Sequence, residues 1–156
     1  MKQTLLTEDG RYVLRIERYF AHPQRKVWRS ITEPEHFAQW YPFSTGEMDL
    51  RVGGKLGFDD GEGSTYEAVV TELDPPRVFA FREVDDTLRI ELRPEGEGCL
   101  MIFTHTFDDP SWATHTAAGW HRCLDAVDML LAGTPVEWPD NAAELREVYA
   151  KEFGLA

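Results

Sequence analysis

Asp109-Pro-Ser-Trp-Ala-Thr-His-Thr-Ala-Ala-Gly-Trp-His-Arg-Cys-Leu-Asp-Ala-Val-Asp-Met-Leu-Leu-Ala132 is the stretch on which the fold turns. Asp109 followed by Pro110 reads as an N-cap with proline at the first helical position. Gly133 and Pro135 read as the stop. At 100° per residue, Trp112, Thr116, Gly119, Trp120, Cys123, Val127 and Leu130 share one face, and Thr114, His121, Asp125 and Asp128 lie opposite. The expectation is one long amphipathic helix over 109–132. Its inner face begins with two indoles, a hydroxyl and a glycine, with His115 on the flank, and turns aliphatic only toward the end. That composition suits the wall of a pocket better than the filling of a core.

Upstream of this helix the pattern changes to period two. Residues 11–20 alternate as a first strand. Between 44 and 107 the candidate strands are 46–52, 54–59, 64–74, 77–84, 87–94 and 98–107. They are separated by Gly53-Gly54, Gly61-Glu62-Gly63, Pro75-Pro76, Asp85-Asp86 and Glu95-Gly96-Glu97-Gly98. Breaks this short leave no room for crossover helices, so the sheet is antiparallel. In the last strand Met101, Phe103, His105 and Phe107 share one face, and Leu100, Ile102, Thr104 and Thr106 share the other. Periodicity alone does not assign either face to the core.

Two short helices interrupt the strands near the start. Pro23 opens one over 23–31, carrying Val27, Trp28 and Ile31. Thr32-Glu33-Pro34-Glu35 reads as a capping box for a second, which carries Phe37 and Trp40 and ends at Tyr41-Pro42-Phe43. After the long helix, Leu145, Val148, Tyr149 and Phe153 give 134–156 a helical tail. The reading is one α+β domain over residues 1–156. A curved antiparallel sheet of about six or seven strands wraps a long C-terminal helix, and the short helices plug one end.

The totals bound the function. At 156 residues the chain can bury roughly 70% of its unfolded surface, enough for a core and a cavity. A formal net charge of -12 speaks against nucleic acid or an anionic membrane as partner, because phosphate binding needs clustered Lys and Arg. No apolar run approaches the ~20 residues of a membrane span. The N-terminal residues turn acidic too soon for a signal peptide. Cys99 and Cys123 form no CxxC pair and read as reduced, buried thiols of a cytoplasmic protein. His115 and His121 are spaced wrongly to act as two metal ligands on one helical face, and no metal or cofactor is expected.

The interior candidates, and hence the candidate ligand contacts, are Trp40, Phe58, Tyr66, Phe79, Phe81, Met101, Phe103, His105, Trp112, Thr116, Trp120 and Cys123. His105 is the ionisable residue of most interest. On a face with Met101 and Phe103 it suits a hydrogen-bond donor to a carbonyl or phenol, or a general base if a carboxylate orients it. The paired acids Asp59-Asp60, Asp85-Asp86 and Asp108-Asp109 read as solvated turn and cap residues. Arg51, beside two glycines, reads as structural.

Four stretches also carry a family resemblance. They are Pro23-x-x-x-Val27-Trp28-x-x-Ile31-Thr32-x-Pro34-Glu35-x-Phe37-x-x-Trp40; Asp49-Leu50-Arg51-Val52-Gly53-Gly54; Leu73-Asp74-Pro75-Pro76-Arg77-Val78; and Thr104-His105 ahead of Gly119-Trp120. Together they resemble the START-like (SRPBCC, helix-grip) superfamily, and within it the homologues of the activator of the 90-kDa heat-shock protein ATPase. The resemblance implies the helix-grip fold, with a hydrophobic pocket between sheet and long helix. It implies members that bind hydrophobic small molecules or assist a chaperone, and a minority of enzymes such as aromatase/cyclases.

Three functions follow as expectations. The first is non-catalytic binding of a small hydrophobic or aromatic molecule, expected to show a closed-off cavity beside Trp112, Thr116 and Trp120. The second is a co-chaperone-like or self-associating protein, expected to show a filled core and an exposed apolar patch at Leu100 and Ile102. The third is a cyclase-like enzyme, expected to show His105 hydrogen-bonded to a second polar group in an open pocket.

Overall fold

The computed structural model describes every residue except Pro42 and Ala156, so Pro42 in the break after the second short helix lies outside the described residues. The element order is β1 (Lys2–Glu8), β2 (Arg11–Phe20), α1 (Gln24–Thr32), α2 (Pro34–Trp40), β3 (Ser44–Met48), β4 (Lys55–Asp59), β5 (Thr65–Asp74), β6 (Val78–Glu83), β7 (Asp86–Glu95), β8 (Gly98–Phe107), α3 (Ala113–Ala132) and α4 (Ala142–Glu152). The eight strands form one antiparallel sheet in the order β1-β2-β8-β7-β6-β5-β4-β3. The helix-grip architecture is as expected, with more strands than the six or seven read from the sequence.

The strand not foreseen is β1. It pairs with β2 through a two-residue turn in which Asp9 and Gly10 both take positive φ, 51° and 78°. That is the geometry an Asp-Gly hairpin provides. The strand expected over 46–52 is shorter, because residues 49–54 fold back on themselves. Arg51 N–H donates to the Asp49 carbonyl and Gly54 N–H to the Arg51 carbonyl, at 2.9 and 2.8 Å. A Cβ on Gly54 would fall on the Asp49 carbonyl oxygen, which is why glycine stands there. Arg51 itself pairs with the Asp49 carboxylate at 2.8 Å, the structural role expected of it.

Register settles which face is inside. Leu14, His105 and Leu88 lie abreast on β2, β8 and β7, and Ile16, Phe103 and Ile90 form the next row. Apart from His105 these side chains are at most 1% exposed. The outer face is polar and tied by arginines. Glu91 lies against Arg77, Arg89 and Arg93. Ile102, paired with Glu17 and Glu91, is only 6% exposed. The apolar outer patch expected at Leu100 and Ile102 is therefore not there; long charged side chains cover its centre.

The long helix differs from expectation at its start. Asp109 caps a short 3-10 turn, Pro110–Trp112, by accepting from Ser111 N–H, and α3 begins only at Ala113. The buried face holds Trp120, Cys123 and Val127 as expected and widens to Ala113, Ala117, Leu124 and Leu131, while Trp112 and Gly119 are exposed. Asp125 and Asp128, expected in solvent, instead clamp Arg18 of β2 at 2.7 and 2.6 Å. At the far end Gly133 takes φ 74°, and Thr134 N–H returns to the Met129 carbonyl, a glycine C-cap as anticipated. The capping box at Thr32–Glu35 does not form. Glu33 is the N-cap without a side-chain bond, and the Thr32 hydroxyl donates to the Trp28 carbonyl.

Candidate functional site

His105 projects from β8 toward α3, and both of its ring nitrogens are engaged. Trp120 Nε1 donates to His105 Nδ1 at 2.9 Å. An indole nitrogen can only donate, so Nδ1 carries no proton and the neutral ring is the Nε2–H tautomer. Nε2 lies 2.8 Å from Asp86 Oδ2, to which it donates. The result is a chain from indole to imidazole to carboxylate. Asp86 thus has a specific partner, with its side chain still 40% exposed, where Asp85-Asp86 read as solvated turn residues. It begins β7 on the same face as Leu88, diagonally across from His105.

This chain forms part of the wall of a cavity of about 560 Å³ between the sheet and the start of α3. Six aromatic residues line it: Tyr41, Phe43, Tyr66, Phe107, Trp112 and Trp120. Tyr41, Phe107 and Trp120 are buried, whereas Phe43 and Trp112 are more than half exposed. The space is therefore open at one end and not closed off. Val84, at the β6–β7 turn, is 73% exposed and also lines the mouth. Phe43 and Val84 both take positive φ, 65° and 56°. A β-branched residue in that region is a genuine outlier, and backbone strain of this kind gathers at ligand-handling sites.

The polar part of the lining is acidic: Glu83, Asp85, Asp86, Asp108 and Asp109. Glu83 accepts from the Tyr41 hydroxyl at 2.8 Å. Burial, then the charge of Glu83, pushes both the Tyr41 and Tyr66 phenols above their ordinary range, so both stay protonated donors at neutral pH. Arg11 pairs with Asp108 at 2.6 Å and donates to the Asp85 carbonyl. Among the described residues, no lysine or arginine lines the cavity.

Of the residues anticipated from sequence, Tyr66, His105, Trp112, Thr116 and Trp120 meet at this cavity. Trp40, Phe58, Phe79, Phe81, Met101 and Phe103 do not line it. They are at most 1% exposed and belong to the solid core behind it. Trp40 donates its indole N–H to the Ser30 carbonyl, and Phe79 and Phe81 pack at 5.4 Å between centroids. They are too deep in the sheet's curve to reach an open end. Cys123 lines a neighbouring space of about 430 Å³ with Tyr41, Phe43 and Trp138. Burial pushes its thiol up to about 12 and that of Cys99 up to about 11, so neither is a nucleophile at neutral pH.

The sequence reading missed Tyr41, Phe43, Glu83, Val84, Asp85, Asp86, Phe107, Asp108 and Asp109 as lining residues. A signal for Asp86 was present. The Glu95–Gly98 turn sets the β7–β8 register, and counting back from it places Leu88 opposite His105 and Asp86 two residues further on.

Residues 21–132, well over half of the chain, match the family model described as Activator of Hsp90 ATPase homolog 1-like protein. No curated protein matches the chain. Among solved structures it is similar to EF2215 from Enterococcus faecalis, a conserved protein of unknown function. The TM-score is 0.84 at 18% identity, over 99% of this chain and 92% of that one. It is also similar to CalU16 from Micromonospora echinospora, with a TM-score of 0.75 at 18% identity over 98% and 95%. At such identities the likeness concerns the fold.

Proposed function

We propose that this chain, which belongs to the Activator of Hsp90 ATPase homolog 1-like family, binds a small hydrophobic or aromatic molecule in the open cavity between sheet and α3 without transforming it. One observation carries the reading: a space of about 560 Å³ walled by aromatic side chains and lined by a few convergent polar groups. That size and mixture suit a small-molecule site.

The cavity is open where this reading expected a closed-off one, and the alternatives differ in what the geometry gives them. The interaction reading lacks the exposed patch at Ile102 on which it rested. The enzymatic reading does find His105 bonded to a second polar group in an open pocket. Yet Nδ1 already accepts from Trp120, and Nε2 carries its proton to Asp86. A general base needs a free lone pair aimed at substrate; this imidazole has none to offer. His105 serves better as a fixed wall.

The test uses an uncharged aromatic probe, 2-naphthylmethanol, titrated by calorimetry and by quenching of tryptophan emission. Thr116 lines the cavity from α3 and is half-buried, so Thr116→Trp plugs the space from a helical position. Saturable binding to the wild type, weakened more than tenfold by Thr116→Trp at an unchanged circular-dichroism spectrum, is the expected result. Failure of the wild type to bind, or equal binding by the plugged variant, would overturn the reading.

A further inference from the structure

We infer that the molecule held in this cavity is a cation, an aromatic or hydrophobic amine, and not a fatty acid or other anion. The inference rests on the binding reading above and specifies its chemistry.

Four observations converge. First, five carboxylates line the same space as the aromatic rings, and among the described residues the lining holds no lysine or arginine. Second, the one guanidinium near the mouth, Arg11, is already paired with Asp108 at 2.6 Å. Glu83 and Asp109 have no cationic partner among the described ion pairs, Asp86 bonds His105 Nε2, and Arg11, which also donates to the Asp85 carbonyl, offsets part of the charge of Asp85 and Asp86. Third, Glu83 is half-buried and held by the Tyr41 hydroxyl at 2.8 Å, so a carboxylate is fixed at the aromatic wall and does not swing freely in solvent. Fourth, the tyrosines beside it remain neutral donors, because burial and the Glu83 charge raise both phenols.

An anionic head group entering this space would face an excess of carboxylates, with the nearby Arg11 already paired to Asp108. An ammonium would meet a fixed carboxylate beside aromatic rings, and such rings attract cations through their quadrupole. Low-dielectric walls lined by one sign of charge also focus the field and raise the local concentration of the opposite ion. The combination of aromatic wall and carboxylate is the chemistry by which organic ammonium groups are recognised.

The experiment compares three probes of one ring system at pH 7: 2-naphthylmethylamine, 2-naphthylmethanol and 2-naphthoic acid. Binding is followed by calorimetry to the full chain in 20 and 500 mM NaCl. At low salt the amine is expected to bind roughly tenfold tighter than the alcohol, the size of effect a charge-assisted contact gives, and the acid weakest. High salt should narrow the gap between amine and alcohol. Glu83→Gln keeps an acceptor for Tyr41 and should weaken the amine about tenfold, far more than it weakens the alcohol. Asp85→Asn, at an exposed turn tip, should weaken the amine two- to threefold. It provides the test should Glu83→Gln fail to fold. Equal affinity for amine and alcohol, or tightest binding of the acid, overturns the inference and leaves the binding reading standing. No binding of any probe overturns both.

Discussion

At the scale of single residues, the informative contact is the one between Trp120 and His105. Because the indole donates to Nδ1 at 2.9 Å, removal of that donor should change the imidazole and not merely the packing. Trp120→Phe keeps an aromatic ring against Phe103, whose centroid lies 4.8 Å from that of Trp120. The variant leaves Nδ1 as a largely buried acceptor without its partner, which typically costs about 1–3 kcal/mol. Nitrogen-15 spectra of the histidines should show the Nε2–H tautomer for His105 in both proteins, because Asp86 still accepts from Nε2, with the Nδ1 resonance moved toward that of an unbonded acceptor in Trp120→Phe. An Nδ1 resonance that does not move would mean that the indole does not donate to the ring. His105 stood out in sequence because it interrupts an apolar face. Asp86 did not, because its partner is 19 residues away and only the strand register brings the two together. Phe43 and Val84 were invisible for another reason: a positive φ on a phenylalanine or valine leaves no mark in composition or periodicity.

At the scale of elements, the join between α3 and α4 has a titratable centre. Tyr149 is 4% exposed, and its hydroxyl lies 2.7 Å from His121 Nδ1. Asp125 sits 3.5 Å from Nε2. Burial holds the His121 imidazole below its ordinary value of 6.5. Arg18 and the terminal amino group press in the same direction, and Asp125 and Glu152 oppose them. The sign follows directly. A histidine depressed in the folded state leaves the unfolded chain binding more protons at mildly acid pH. Its contribution to stability is complete above about 6.5, declines as pH falls below that value, and is gone beneath the depressed folded one. Thermal midpoints measured from pH 7.5 to 5 should therefore fall more steeply for the wild type than for His121→Gln, since carboxylate titrations act on both alike. Parallel curves would show that the imidazole is not excluded from protonation by the docked tail. The elements themselves were largely legible: α1, α2, seven of the eight strands, the glycine stop of α3 and the tail all follow from period and punctuation. Strand β1 has its own signal in Asp9-Gly10, the dipeptide of a two-residue hairpin, which a short N-terminal segment with little apolar alternation hides. The 3-10 start of the long helix was not legible. A 100° projection started from Asp109 includes Trp112, which belongs to a 3-10 turn and does not share the helix's phase.

At the scale of the whole molecule, the question is where 16 cationic and 28 acidic side chains are placed. Much of the arginine is committed to the outer face of the sheet, where Arg15, Arg77, Arg89 and Arg93 interleave with Glu17, Glu72 and Glu91. The excess negative charge falls elsewhere, including the five carboxylates at the cavity. Like charges gathered at one end repel, and the repulsion is a long-range effect that salt screens. Val84 offers a clean measurement, since it stands in the mouth, is exposed, and has no polar partner to lose. Val84→Lys and Val84→Gln both remove the β-branch from a positive-φ position, so both should gain the same relief of strain. They differ in one charge. At 20 mM NaCl the lysine variant should melt about 1–3 °C above the glutamine variant, the shift that a gain of about 0.5–1 kcal/mol produces in a domain of this size. At 500 mM NaCl, where the Debye length has shrunk to about 4 Å, the difference between the two should vanish while both remain above the wild type. The two comparisons read separate quantities. The gap between Lys and Gln reports the field at the mouth, and the gap between Gln and Val reports the strain stored in the turn. Equal melting of the two variants at low salt would mean that counterions already neutralise the rim, and a cavity so neutralised would have no charge with which to select an ammonium over an alcohol.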